Sequence, residues 1–442
     1  MFFLYSFLLT IAFVLLSPLL LIRSGKYLAG FWQRFGFLPH FDPEGKPVIW
    51  LHCVSVGETQ AARPLVTELI KNFPDHKLVV STTTKTGQKL AREVFKDQTS
   101  YVFYFPFDWK FSIRSALRQI RPQVILLMET EIWFNFIREA GKSGAKIAIV
   151  NGRLSEKSAA GYKWITNTFR RVFHYVDLAL MQNPADAKRL LSFGIRGTKV
   201  KVTGNIKFDQ QISPAENKLT DEIRKRFDFT PEVPLIIAAS THAPEEKLIL
   251  EAFKILWKSS TTTLPRLLLV PRHPERFADV AQSIKETGFI FAKRSENPSE
   301  RDKSAEIVLL DSIGELRSVY PLAEIVFVGG SLIPHGGQNV LEPAICRKAI
   351  VTGFYTMNFK AIVEEFLRNG ALIQLPKLGE TEVPQRLADV FSELLQNEKR
   401  SRELAQNALQ VAENNRGATD KTIENLKQFL DEKRFTPENA PD

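Results

Sequence analysis

Cysteine is nearly absent from this chain: Cys53 and Cys346 are the only two among 442 residues, and they lie far apart. Neither a disulfide framework nor a cysteine-rich zinc site can be assembled from them, and a reducing compartment suits such a chain. Also missing are a Walker phosphate loop, a G-x-G-x-x-G after the first strand-like run, and an HExxH or DxD metal pair in a suitable place. These absences weigh against a P-loop ATPase and a dinucleotide redox enzyme. With 44% hydrophobic and 24% charged residues, ordinary glycine and proline counts and no repeat or low-complexity tract, the chain is neither collagen-like nor disordered throughout.

What is present is enough length for two or three domains. The formal charge is +10, which points to an anionic partner, whether nucleotide, phospholipid, acidic sugar or nucleic acid, without choosing among them. Charge is missing altogether from Phe2 to Ile22, a stretch whose helix would measure about 31 Å, enough to cross a bilayer core. The basic residues Arg23, Lys26 and Arg34, expected beside anionic headgroups, follow this run, whereas a cleaved secretory signal carries them in front. The positive-inside rule then leaves the rest of the chain in the cytoplasm. The expectation is a membrane anchor over residues 1–22, either single-pass or, with Pro18 kinking it, lying in the interface. Residues 25–39 mix aromatic with basic side chains, as an interfacial segment or a solvated first helix would.

From Pro47 onward short apolar runs alternate with amphipathic stretches, the pattern of β-α units around a parallel sheet. Strands are expected at 48–53, 77–81, 101–105, 124–128, 146–150, 178–181 and 200–204, and again at 235–240, 266–270, 288–292, 306–310, 324–330, 349–353 and 371–375. Between the two sets lies a polar, proline-containing stretch that reads as a linker with one short helix. The expected division is an anchor (1–22), an N-terminal Rossmann-like domain (23–212), a linker (213–230), a C-terminal Rossmann-like domain (231–395), and a C-terminal helix and frayed tail (396–442). Ligands of such sheets sit at the carboxyl ends of the strands, in a cleft, so function is sought in the loops directly after them.

The first such loop is Ser55-Val56-Gly57-Glu58. Ser55 can cap a helix, Gly57 lets backbone approach a ligand, and Glu58 is either a general base or the partner of Ser55 in a capping box. Past the fourth strand come Glu129 and Glu131, which strand alternation would send to one face; compensation of a helix N-terminus is the alternative reading. Arg153 and Lys207 follow the fifth and seventh strands as rim cations or solvated surface. In the second set, Ser240 and Thr241 open a helix with small residues, a phosphate-approach geometry. Arg272 and His273 stand between two prolines, where Arg272 could neutralise a phosphate bidentately. The densest segment is GGSLIPHGGQNVLEPA, 329–344. Its glycines, Gly330 and Gly336 among them, are expected to expose backbone amides, Ser331 and His335 to supply donors, and a helix from near Asn339 to aim its positive end at the loop. Glu342, one turn on, is placed to accept from ribose hydroxyls.

In order, VSVGE, METEIW, NGRLS, GNIKFD, STHxxEE, PRHPER, DSIGEL and GGSLIPHGGQNVLEPA, preceded by an apolar N-terminus, resemble the 3-deoxy-D-manno-octulosonic acid (Kdo) transferases of lipopolysaccharide assembly over the chain up to about residue 380. The resemblance implies a GT-B glycosyltransferase with two Rossmann-like domains, inverting and metal-independent, needing no cofactor. It would move Kdo from CMP-Kdo to a lipid A precursor, lipid IVA, at the cytoplasmic side of the inner membrane among its phospholipids. By the family pattern Glu58 is the catalytic base, while Glu131, Lys207, Arg272 and His273 belong to the donor surroundings and Gly336, Asn339 and Glu342 to the nucleotide-binding loop and helix. Phe134, Lys85 and Ala243-Pro244 depart from the pattern beside these motifs. The nearest alternative is another membrane-associated GT-B enzyme that uses a UDP-sugar on a lipid acceptor. A nucleic-acid binder would need basic residues interleaved with aromatics at a stacking surface. Apart from the segment after the anchor there is none, so nucleic acid is not expected as a partner.

Overall fold

The computed structural model describes residues 2–22, 29–162, 165–209, 214–259 and 264–431, excepting the side chains of 16–22, 157, 214 and 215. Arg23, Lys26, the start of the expected linker and the expected frayed tail lie outside the described residues. The chain forms two compact units, Met1–Gln210 with Asn415–Asp442, and Gln211–Asn414.

In the first unit β1 (Val48–Cys53), β2 (Lys77–Thr82), β3 (Tyr101–Tyr104), β4 (Pro122–Met128), β5 (Lys146–Gly152), β6 (Leu178–Met181) and β7 (Val200–Val202) form one sheet. Its order is β3-β2-β1-β4-β5-β6-β7, and every pairing is parallel. The strands read as continuous apolar runs because both faces are covered. Trp50, Ile125 and Ile147 pack under the helices Lys110–Ile120 and Phe134–Lys142. Leu51, Leu126 and Ala148 pack under Arg63–Asn72 on the other face.

The second unit repeats the scheme with β8 (Leu235–Thr241), β9 (Arg266–Pro271), β10 (Phe291–Lys293), β11 (Ile307–Leu309), β12 (Ile325–Val328), β13 (Ala349–Thr352) and β14 (Ile373–Gln374). The order is β10-β11-β9-β8-β12-β13-β14, again all parallel. Strand order reverses beside β1 and β4 in the first sheet and beside β8 and β12 in the second. Crevices for ligands open at such switch points.

The unit boundaries differ from the sequence reading at both ends of the second unit. The helix Pro214–Phe227 is part of that unit rather than a linker: Thr220 donates to the Ser318 carbonyl at 2.6 Å, and Arg226 pairs with Asp302 at 2.7 Å. The helix Ala418–Asp431 belongs to the first unit, where Ile423, Leu426 and Phe429 join the core beside Leu65 and Leu69. Its start is capped by Asp209, whose carboxylate accepts from Gly417 N at 2.7 Å and Thr419 N at 2.5 Å.

The apolar N-terminal run is helical over Phe2–Ile22. Its inward face holds the polar residues: Trp109 Nε1 donates to Thr10 Oγ1 and Asn135 Nδ2 to Ser6 Oγ, both at 3.0 Å. Among the described residues, which include this helix's side chains only to residue 15, no helix is long and apolar enough to cross a membrane. Arg34 is not a headgroup-facing cation. It is buried, donates to the carbonyls of Ala29 and Thr83, and lies 4.7 Å over the Tyr104 ring.

Candidate active site

At the switch point of the first sheet, β1 runs into Ser55 and the helix Val56–Ala61. The capping box forms: Ser55 Oγ accepts from Glu58 N at 3.4 Å, and the Glu58 carboxylate accepts from Val54 N at 2.8 Å and Ser55 Oγ at 3.0 Å. These bonds pin the carboxylate rather than neutralise it. Glu58 is only 8% exposed, and burial, reinforced by the neighbouring carboxylates Glu129 and Glu131, pushes its carboxyl up to about 7. A carboxylate held near neutrality can take a proton and release it again. A β-carbon added at Gly57 would meet nothing closer than Ser55 Oγ at 3.8 Å, so the fold itself does not demand glycine there.

Strand alternation does not govern Glu129 and Glu131. β4 ends at Met128, and Glu129 turns out of the sheet with φ 57°. Glu129 then accepts from Lys207 Nζ at 2.8 Å. Burial, with Glu129 adding to it, raises the Glu131 carboxyl above its ordinary range. Glu58, Glu131 and the Glu129–Lys207 pair are thus one electrostatic cluster. Asn151, fully buried at the end of β5 with φ 54°, steadies it by accepting from Ile206 N at 3.0 Å, beside Lys207. Arg153 is partly exposed, its backbone N–H donating to Thr130 Oγ1.

At the switch point of the second sheet the decisive residue is one that sequence reading passed over. Glu245, the first residue of the helix Glu245–Ser259, is completely buried. Its Oε2 accepts from Gly330 N at 2.6 Å and His242 N at 3.0 Å, and its Oε1 from Leu332 N at 2.8 Å and Ser331 N at 2.9 Å. The amide of Gly330, expected to be exposed, is therefore already donated to a side chain, and so is that of Ser331. Ser331 is likewise no ligand donor: its hydroxyl donates to the Val328 carbonyl and accepts from Gly353 N. The available signal was the paired Glu245-Glu246 at a helix start, where carboxylates favour the helix dipole.

Around this clamped loop the expected residues do assemble. Ser240, at φ 53°, and Thr241 end β8, and the Thr241 hydroxyl donates to Glu246. Glu246 in turn takes Arg276 Nη1 on both oxygens, at 3.0 and 2.9 Å. The His242 ring lies 3.9 Å from that of His335 and 5.1 Å from that of His273. Burial together with His335, His273, Arg272 and Arg276 pushes the His242 imidazole down to about 4, which keeps it neutral. Gly336 is required by the backbone: φ is 106°, and a β-carbon would fall 2.5 Å from Asn358 Nδ2. The helix expected from near Asn339 is one turn, Leu341–Ile345, with Asn339 Oδ1 accepting from Leu341 N at 3.0 Å. Burial raises the Glu342 carboxyl, while Arg317, Asn339 and Arg272 hold it down. Glu342 and Arg272 are therefore electrostatic neighbours. The second unit gathers cations and imidazoles around its switch point, the first gathers carboxylates.

The family model for 3-deoxy-D-manno-octulosonic-acid transferase (Kdo transferase) matches residues 29–210. Over 414 residues the chain is 34% identical to the 3-deoxy-D-manno-octulosonic acid transferase of Haemophilus influenzae, covering 93% of this chain and 94% of that one. The enzyme of the same name from Bordetella pertussis is 29% identical over 437 residues, covering 95% and 98%. Among solved structures, the UDP-GlcNAc 2-epimerase from Neisseria meningitidis aligns with a TM-score of 0.59 at 16% identity, covering 86% of this chain and 100% of that one. A glycosyltransferase from Rickettsia africae aligns with 0.58 at 13%, covering 88% and 100%. These two likenesses show the fold alone, two parallel-sheet α/β units with GT-B-like neighbours. The match to the Haemophilus influenzae enzyme spans 93% of this chain at 34% identity, and on it the chain belongs to the 3-deoxy-D-manno-octulosonic acid transferases, a family of glycosyltransferases.

Proposed function

We propose that this chain transfers Kdo from CMP-Kdo to a lipid A precursor, lipid IVA, in lipopolysaccharide biosynthesis, with inversion and without a metal. The observation that carries the chemistry is the buried Glu58 carboxyl, pushed up to about 7 at the carboxyl end of β1. Glu58 takes the proton of the acceptor sugar hydroxyl as that oxygen forms a bond to the anomeric carbon of Kdo. The bond from that carbon to the CMP phosphate oxygen breaks on the opposite side, and CMP leaves as the anion. A positioned base of this kind contributes about 10²–10⁴-fold.

The departing phosphate calls for positive charge. Arg272 supplies it, exposed on the loop after β9 beside His273. His242, His335 and the chain at Gly336 and Asn339 shape the nucleotide's surroundings, and Glu342 accepts from ribose hydroxyls. Lys207, held by Glu129, limits the negative charge beside Glu58 and contacts the donor's anionic groups. The enzyme works at the cytoplasmic side of the inner membrane, held there by its N-terminal helix.

The test is to incubate the purified protein with CMP-Kdo and lipid IVA and to weigh the lipid product by mass spectrometry. A mass increase of one or more Kdo units is expected, and none under any detergent condition refutes the proposal. Stronger protection against thermal unfolding by UDP than by CMP would favour a UDP-sugar donor instead.

A further inference from the structure

The N-terminal helix is apolar on the side that faces away from the protein. Leu4, Phe7, Leu8, Ile11 and Leu15 recur at helical spacing, and each is at least 40% exposed. Ser6 and Thr10 point inward to Asn135 and Trp109. This inverts the arrangement that suits a helix in water. Beneath the helix runs an open groove of about 1500 Å³ within the first unit. Phe3, Phe13, Phe35, Trp109 and Phe111 give it one apolar side.

Its other side is basic. Lys110, Arg114 and Arg118 line it at four-residue intervals along the helix Lys110–Ile120, and Arg121 and Lys142 extend the row. Its single carboxylate, Glu139, is buried and already shared by Arg114 at 2.6 Å and Arg138 at 3.2 Å. Arg118 and Arg121 direct Nε only to backbone carbonyls, of Arg114 and Arg118. Among the described residues no carboxylate pairs with Arg118, Arg121 or Lys142. A groove with an aromatic wall and an uncompensated cationic wall fits an amphiphile with an anionic head.

We infer that this groove binds one anionic membrane phospholipid, its acyl chain against the aromatic wall and its phosphate along the basic row, so that the N-terminal helix lies in the plane of the leaflet. The acceptor's reacting sugar is not the occupant. Arg121 and Lys142 stand at the amino edge of the sheet, just before β4 and β5 begin. Seven residues of β4 separate that edge from Glu129, about 20 Å of strand. The inference rests on the membrane association proposed above, and it is independent of the transfer chemistry.

The experiment is co-sedimentation of the full chain with vesicles of phosphatidylcholine alone and of phosphatidylcholine mixed with phosphatidylglycerol. Each basic residue at an anionic surface is worth about fivefold. The double variant Arg118→Gln/Arg121→Gln should therefore bind the phosphatidylglycerol vesicles about thirtyfold more weakly and the neutral vesicles unchanged. Lys142→Gln, on a different helix, should lose about fivefold by itself. Retention of the wild-type preference in both variants overturns the inference, as does displacement from vesicles by inorganic phosphate at matched ionic strength. Transfer is assayed in detergent micelles in parallel. Loss of vesicle preference with transfer retained supports the inference. A raised KM for the acceptor with vesicle binding intact assigns the groove to the acceptor and overturns it.

Discussion

Replacing Glu58 by Gln removes the charge but keeps the shape, and it separates two consequences of burying this carboxyl. In the folded protein the group titrates at about 7 against an ordinary value of 4.5, a difference worth about 3 kcal/mol. Because the folded-state value is raised, the stability linked to the protonated form is fully present below pH 4.5 and is lost as pH rises through 7. The wild type should therefore weaken between these limits by up to about 3 kcal/mol relative to Glu58→Gln, which has no charge to bury. The variant gives up one acceptor, towards Val54 N or Ser55 Oγ, at a constant cost of about 1 kcal/mol. Asp108, also pushed up to about 7 by burial, titrates in the same window but in both proteins, so it cancels in the difference. Urea unfolding across this pH range measures the stability. Transfer rates over the same range should rise in the wild type with an inflection near 7 and fall about 10²–10⁴-fold in the variant. Parallel stability curves for the two proteins would refute the burial argument. A variant retaining a substantial fraction of wild-type kcat would refute the role of base.

Glu245→Gln presents an NH₂ group to two of the four backbone donors now held by the carboxylate; urea unfolding should show a loss of about 2–4 kcal/mol, with weaker CMP binding by calorimetry. Lys207→Met leaves Glu129 uncompensated beside Glu58 and should move the inflection of the pH–rate profile upward by about one unit; an unmoved inflection would count against the cluster. Asp209→Asn weakens the cap on Gly417 and Thr419 and should cost about 1 kcal/mol, seen as faster proteolysis ahead of the helix Ala418–Asp431.

What could be read without coordinates was whatever depends on neighbours in sequence. The strands announce themselves because a parallel sheet buried on both faces needs unbroken apolar runs, and VILLM and LIIAA could be little else. The loops after them follow from the rule that ligands meet the carboxyl ends of strands. Illegible were the roles set by partners far along the chain. Arg34 looked like a cation awaiting headgroups because Tyr104 and the Thr83 carbonyl, which hold it, are remote in sequence. Glu245 drew no role from the sequence because Gly330, whose amide it holds, lies 85 residues further on. The helix Ala418–Asp431 carries an apolar stripe that names no partner in sequence, and its packing beside Leu65 and Leu69 and the cap from Asp209 show which unit it joins.

Glu58 and Glu245 occupy equivalent places, each in the first turn of the helix that follows the first strand of its sheet, and the difference between them is a matter of donors. Burial raises both carboxyls, but Glu58 receives only one amide and one hydroxyl and feels two further carboxylates, and it remains able to exchange a proton. Glu245 receives four amides, which leaves no lone pair directed at a ligand and makes it a clamp. That clamp changes where an anion can bind in the second unit. The glycine-rich segment cannot cradle a phosphate with the amides of residues 330–332, because a carboxylate already occupies the place the phosphate would take. On the proposed function, the donor's phosphate would therefore be met by the loops around the clamp, where Arg272 and the neutral His242 stand with His273 and His335. Glu245 serves this arrangement by holding the His242 backbone and the Gly330–Leu332 turn on one carboxylate, which fixes the floor on which those side chains stand.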